Sequence, residues 1–392
     1  MKDAHVPAAN QLSFSPERLE AIRERFDPDV AAMKIPGATI VIGNREKLIF
    51  EYNGGCRDTT TRDSLKPDAI WRIYSMTKPV VTTSAMMFVE RGLLRLDQPV
   101  AEFISSFANL RVMHADGTEV PARQAPTIQD LMRHSAGLAY GYFGDSPAQR
   151  AYVADGFLAE DLLNADFVDR LAALPLECQP GTVWHYSHAT DVLGRILEVI
   201  SGHSLQHVLE DTLFGPLGMT DSCFHLPLVK RDRVAQPLPQ ANTARPRFFD
   251  PCAPRRGQRG GGGLVSTTSD YARFLRMLLR GGTLDGQRIL SPATVAYMTA
   301  DHLGHDIGRS NYYPPGPGYG FGLGFAVRVA AGKAPFPGSQ GDYFWSGVGG
   351  TYFWVDPALN FFAILMLQTS SLDQRLHYRT LMRNMVYAAL DV

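Results

Sequence analysis

The chain has 392 residues, with 38 Lys and Arg against 39 Asp and Glu, and is 45% hydrophobic and 20% charged. This is the balance of an ordinary globular protein, long enough for a large core and two folding units. A net charge near zero offers no basic field for nucleic acid or an anionic membrane, and no apolar run approaches the ~20 residues of a spanning helix.

Four cysteines, Cys56, Cys178, Cys223 and Cys252, lie far apart without a Cys-x-x-Cys pair and read as reduced thiols. The opening MKDAHVPAANQLSFS has no apolar core and no small-residue cleavage pattern, so the expected location is the cytoplasm.

Ser15-Pro16-Glu17 reads as an N-cap with proline in the first turn. Leu19, Ile22 and Phe26 then share one helical face, and Asp27-Pro28 is expected to close that helix. Ala38 to Ile42 and Leu48 to Tyr52, joined at Gly43-Asn44-Arg45, predict a β-hairpin. Tyr352 to Val355 and Phe361 to Leu367 are β-rich, and an amphipathic helix follows from about Gln374 to Leu390.

The middle of the chain differs, with helix-like segments such as Thr127 to Met132, Asp166 to Leu174 and Thr190 to Ile200 broken by proline and glycine. Strands at both ends with helices between predict an α/β domain from residues 1–95 and 265–392, interrupted by a mostly helical insertion, 96–264. The run Gly260 to Gly263 lacks the Lys-Ser/Thr of a phosphate loop and reads as a flexible return crossing. Thr267-x-x-Asp270 then caps a helix through Leu279.

Three segments carry chemistry. Ser75-Met76-Thr77-Lys78 opens a segment, Pro79 to Val89, that is apolar nearly all round and ends at Gly92. Ser75 and Lys78 therefore share one face at the mouth of a buried helix. A serine hydroxyl needs a base, and a lysine serves as one only when burial and the positive helix end disfavour its charged form. The second segment, Trp184-His185-Tyr186-Ser187-His188, precedes a helix, and Tyr186 there can share a proton with a lysine and protonate a departing alkoxide. The third, Trp345-Ser346-Gly347-Val348-Gly349-Gly350-Thr351, puts small residues at a strand edge, where substrate can approach a main-chain N–H. His185-x-x-His188, and His203 with His207, lack a third ligand or a zinc-protease glutamate and read as hydrogen-bonding histidines. No Gly-x-Ser-x-Gly elbow occurs.

In this order the segments resemble the penicillin-recognising serine hydrolases, and among them most nearly the family VIII carboxylesterases. The resemblance extends to Ile73-Tyr74, to Leu131 through Leu138, and to Gly261 through Asp270. It implies an α+β fold, a β-lactamase/transpeptidase-like antiparallel sheet flanked by the terminal helices with a helical domain roofing the Ser75 cleft. It also implies Ser75, Lys78 and Tyr186 as catalytic residues, and an oxyanion hole from the backbone N–H groups of Ser75 and Val348. Trp345 and Gly347 stand for a Trp-x-Gly in place of Lys-Thr-Gly, and His188 stands where Tyr-x-Asn has an amide-binding asparagine. Tryptophan in place of a carboxylate-binding lysine favours neutral esters over anionic β-lactams. Tyr140, Tyr142 and Phe143 line the acyl pocket or pack the core; the pattern supports both. Glu160 to Asn164 match a Glu-x-x-Leu-Asn pattern by coincidence on this reading.

The expected activity is hydrolysis of short-chain neutral esters through an acyl-enzyme, with Lys78 or Tyr186 as the primary base. A β-lactamase and an acyltransferase using the same residues are the alternatives. No metal or organic cofactor is implied, the partner is a small-molecule ester, and the oligomeric state is left open.

Overall fold

The computed structural model describes residues 13–239 and 248–391, so most of the N-terminal stretch read above lies outside the described residues. Helix α1 (Pro16–Ala31) starts as expected, with Pro16 in its first turn and the Ser15 side chain accepting from the Arg18 N–H. It does not stop at Asp27-Pro28. Proline cannot donate its helical hydrogen bond, a loss of ~3 kcal/mol in a helix interior. Here the turn beyond it is anchored by Asp29, whose buried carboxylate accepts from Lys34 (2.7 Å), Arg25 (2.9 Å) and Tyr378 (3.1 Å).

Strands β1 (Gly37–Gly43), β2 (Leu48–Asp58) and β3 (Asp63–Ser64) follow. The β1–β2 turn is set by Asn44, whose side-chain oxygen accepts from the N–H groups of Glu46 and Lys47 at 2.9 Å. Helix α2 (Thr77–Glu90) comes next, then several short helical segments, α3 (Ala189–Ser201) and α4 (Thr268–Leu279). Thr267 caps α4, accepting from the Asp270 N–H at 3.1 Å. The chain closes with β4 (Tyr319–Phe321), β5 (Ala326–Arg328), β6 (Tyr343–Ser346), β7 (Tyr352–Asp356), β8 (Phe361–Leu367) and helix α5 (Leu372–Ala388).

The strands form one eight-stranded sheet in the order β4-β5-β6-β7-β8-β1-β2-β3, antiparallel throughout. β1 and β8 are buried along their whole length. This is why they read as continuous apolar runs rather than alternating ones: helices cover both faces. α1 and α5 pack together, Phe26 against Tyr378 at 5.4 Å, while α4 lies against β1 and β8 and sets Tyr271 on Phe353 of β7 at 5.2 Å. A buried triad ties α5 to the sheet, Asp342 pairing with Arg328 (2.6 Å) and Arg383 (3.0 Å). α2 is buried nearly all round, and α3 packs against it. Cys56, Cys178, Cys223 and Cys252 are free thiols, and no helix among the described residues is long and apolar enough to cross a membrane.

Candidate active site

Ser75 lies in a single 3-10 turn (Tyr74–Met76) that runs directly into α2, so Lys78 falls in the first turn of that helix. Tyr74 holds a left-handed backbone, φ 45°, immediately before Ser75. A bulky residue there costs on the order of 1–3 kcal/mol, and it persists only where surroundings enforce it. They do so here: the Tyr74 ring meets Phe248 and Phe249 edge-on at 5.9 and 5.7 Å.

The Lys78 nitrogen is fully enclosed. It lies 3.2 Å from Ser75 Oγ, 2.8 Å from the Tyr140 hydroxyl and 2.6 Å from the Gly261 carbonyl oxygen. It also sits over the Tyr186 ring, 4.7 Å from its centre. Burial pulls its pKa down from 10.5 to about 7, against the attraction of Asp191. In the neutral amine two N–H bonds remain for Tyr140 and Gly261, and the lone pair is left for the Ser75 hydroxyl proton. The geometry thus suits a base.

Tyr186 is buried between Tyr140 (5.1 Å), Trp184 (stacked, 5.9 Å) and Trp345 (5.3 Å). Burial pushes its phenol pKa up, while hydrogen bonding from Ser75 and the Trp345 and Tyr140 side chains pulls the other way. Ser75, Lys78 and Tyr186, the set that the family resemblance implies, therefore meet at one point.

The third segment is wedged against the Ser75 turn. A Cβ on Gly347 would lie 2.5 Å from the Ile73 carbonyl oxygen, and one on Gly349 would lie 2.4 Å from the Tyr74 ring. Only glycine allows that approach, and it brings Val348 beside the turn that carries Ser75. Among the described residues the Val348 N–H meets no acceptor. Arg379 of α5 donates to the Gly347 carbonyl at 2.9 Å, so a cation reaches this segment from outside it.

Other expected residues are placed differently. Trp345 is 2% exposed, its indole packed against Tyr186 and Phe321. It backs Tyr186 more than it walls an open pocket. His188 does not present its nitrogens to substrate, contrary to the expectation drawn from Tyr-x-Asn. Its Nδ1 pairs with Asp191 at 2.7 Å, its Nε2 is buried, and its ring packs on Tyr140 at 4.3 Å. Burial holds it below the usual histidine pKa despite Asp191, so it is neutral near pH 7. His185 meets Gln149 at 2.9 Å, so the two histidines point to separate partners. Glu160 is exposed and lies near Arg170 at 3.6 Å, remote from Ser75's contacts.

Three groups take roles that the sequence does not assign them. Tyr140 was read as pocket or core, yet its hydroxyl contacts Lys78 directly. Asp191, in the first turn of α3, escaped notice, although its place three residues after His188 was a signal. The Gly260–Gly263 run is no flexible connection: Gly261 accepts from Lys78 and donates its N–H to Asp191 at 2.8 Å. Around the site stand the rings of Tyr142, Phe143 and Tyr312, with Phe143 stacked on Tyr312 at 4.1 Å.

This fold and the Ser-Lys-Tyr constellation define a serine hydrolase of β-lactamase-like architecture. The family description Beta-lactamase matches residues 22–383, and the chain belongs to that family. It is 36% identical to Protein Rv1367c of Mycobacterium tuberculosis over 365 residues, covering 89% of this chain and 88% of that one. It is 29% identical to Esterase EstB of Burkholderia gladioli, covering 95% of each. Among solved structures it superposes on EstCE1, a hydrolase with promiscuous acyltransferase activity, with a TM-score of 0.78 at 26% identity, covering 95% of this chain and 98% of that one.

Proposed function

We propose that the protein hydrolyses carboxylic esters of short, neutral acids through an acyl-enzyme on Ser75. The observation that carries this reading is the Lys78 nitrogen, desolvated to a pKa of about 7 and within 3.2 Å of Ser75 Oγ. Neutral Lys78, or the Lys78–Tyr186 pair sharing one proton, takes the Ser75 proton as Oγ attacks the ester carbonyl. The N–H groups of Ser75 and Val348 hold the developing oxyanion. Tyr186 or Lys78 protonates the leaving alkoxide, and water repeats the sequence to release the acid. Similarity to Esterase EstB supports ester chemistry. Aromatic rings around the site, and tryptophan rather than lysine at 345, support a neutral substrate.

Acyl transfer to an alcohol is the second reading, favoured by 30% identity over 291 residues to the monacolin J acid methylbutanoyltransferase of Aspergillus terreus, covering 70% of this chain. The test is intact mass and turnover with p-nitrophenyl acetate, p-nitrophenyl butyrate and a cephalosporin, with and without an acceptor alcohol. The expected result is an acyl adduct in wild type, absent in Ser75→Ala, and free acid as the main product. Ser75→Ala should keep the wild-type circular dichroism and lose at least about 10³-fold in kcat. A folded variant that stays active removes Ser75 from its role, and a wild type that prefers the cephalosporin overturns the choice of substrate.

A further inference from the structure

A buried polar cluster beside Lys78 that does not touch Ser75 runs from His188 through Asp191 to Gly261. Asp191 is 5% exposed, and both its carboxylate oxygens are committed. Oδ2 accepts from His188 Nδ1 at 2.7 Å, and Oδ1 accepts from the Gly261 N–H at 2.8 Å. The carbonyl of that same glycine accepts from Lys78 at 2.6 Å. One residue thus receives the carboxylate through its N–H and passes an acceptor to the lysine through its C=O. A Cβ on Gly261 would lie 2.7 Å from Asp191 Oδ2, so glycine is what lets the two approach. Hydrogen bonds in series at low dielectric strengthen one another, and a carboxylate at one end makes the carbonyl at the other a better acceptor for a cation.

We propose that Asp191, clamped by His188, is a positioning residue that acts through Gly261 to hold the Lys78 nitrogen against Ser75 and to keep that nitrogen basic enough to take the serine proton. The proposal rests on the function given above. Burial alone would leave Lys78 a feeble base, and proton transfer slows when the base is too weak. A fixed negative charge at one remove offsets part of that desolvation without competing for the nitrogen's lone pair.

The groups facing Lys78 from each neighbouring element are few. The segment before residue 141 brings His134 and Tyr140, the entry to α3 brings Tyr186, His188 and Asp191, and Arg259 stands beyond Asp191. Burial holds the His134 imidazole well below, and the His188 imidazole below, the usual histidine pKa, so neither is charged at neutral pH. Burial pushes the Asp191 carboxyl up, but the His188 hydrogen bond and the Lys78 and Arg259 charges outweigh it, so the group remains ionised. The acid limb of the pH profile therefore belongs to the Lys78–Tyr186 pair.

The experiment is the pH dependence of kcat/KM for p-nitrophenyl butyrate, between about pH 5 and 9, in wild type, Asp191→Asn, Gly261→Ala and His188→Gln. Asp191→Asn keeps the shape and removes the charge. Its acid limb should move at least ~0.5 unit to lower pH while the plateau falls several-fold, because Lys78 becomes a weaker base. His188→Gln retains a donor toward Asp191, and its limb should stay in place. Gly261→Ala drives the carboxylate away while leaving it charged, and its limb should shift in the same direction as Asp191→Asn. It also serves if the asparagine variant does not fold. Folded Asp191→Asn and Gly261→Ala proteins whose limbs stay within about 0.2 unit of wild type would leave Asp191 a purely structural residue. That outcome is distinct from failure of the esterase reading, which would appear as undiminished activity in Ser75→Ala.

Discussion

The two sides of the Lys78 nitrogen are built on different principles. On one side stand phenols, Tyr140 at 2.8 Å and the Tyr186 ring at 4.7 Å, both raised above the ordinary tyrosine pKa chiefly by burial and so uncharged. On the other stands a peptide carbonyl backed by a carboxylate. The phenol side can carry protons, because a hydroxyl donates and accepts at once. The carboxylate side moves no proton and sets a charge. An acid in direct contact with Lys78 would form a buried ion pair and hold the lysine permanently protonated. Interposing one peptide weakens the attraction enough to leave the amine titratable near neutral pH.

The largest expected effect breaks the phenol side outright. Lys78→Ala and Tyr186→Phe should each lower kcat on the order of 10³-fold or more, and the double variant should be little worse than either single one, because groups that pass one proton fail together. Steady-state rates on p-nitrophenyl butyrate for the three variants decide it. Losses that multiply would mean that the two residues act independently.

A stability measurement sharpens the comparison. Lys78 has a folded pKa of about 7 against 10.5 for an ordinary lysine. Between those values the unfolded chain holds a proton that the folded one lacks, so wild-type stability should rise as pH rises through that window. Lys78→Met removes the penalty at the expense of unpaired acceptors on Tyr140 and Gly261, each costing about 1–3 kcal/mol. Urea unfolding of both proteins at several pH values should show the variant's stability relative to wild type falling steadily from pH 7 to pH 10, by up to a few kcal/mol. A difference independent of pH would mean that Lys78 stays protonated in the folded chain.

How much of this was legible follows from sequence distance. The Ser75–Lys78 pair is a three-residue spacing at the start of an apolar helix, and Asn44 announces the β1–β2 turn; both are local patterns. The continuation of α1 past Pro28 was not, because Asp29 is anchored by Lys34 and by Tyr378, which lies 349 residues away. Gly261 is the sharper case. Its partners are 70 residues away in Asp191 and 183 away in Lys78, and a glycine run has no side-chain pattern to advertise either contact. Tyr140 was ambiguous for a related reason: an aromatic residue near a turn packs in the core or reaches the site with the same local signature. His188 shows the limit of positional analogy, since the place that resembles an amide-binding asparagine holds a ring turned toward Asp191.

The smallest effect, and the one that separates the two sides most cleanly, is expected of Tyr140→Phe. The substitution removes only the hydroxyl, leaving the ring contacts with Tyr186 (5.1 Å) and His188 (4.3 Å) in place. A neutral group is lost, so the field at Lys78 changes little and the acid limb of kcat/KM should stay within about 0.3 unit of wild type. What is lost is an acceptor that fixes one of the two N–H bonds of neutral Lys78 at 2.8 Å. The amine can then turn its lone pair away from Ser75 Oγ for part of the time, and kcat should fall roughly tenfold, the worth of about one hydrogen bond. Asp191→Asn is expected to move the limb and Tyr140→Phe the plateau alone. If instead Tyr140→Phe shifts the limb as far as Asp191→Asn does, Tyr140 contributes charge as well as orientation, and the division between a proton-carrying side and a charge-setting side fails.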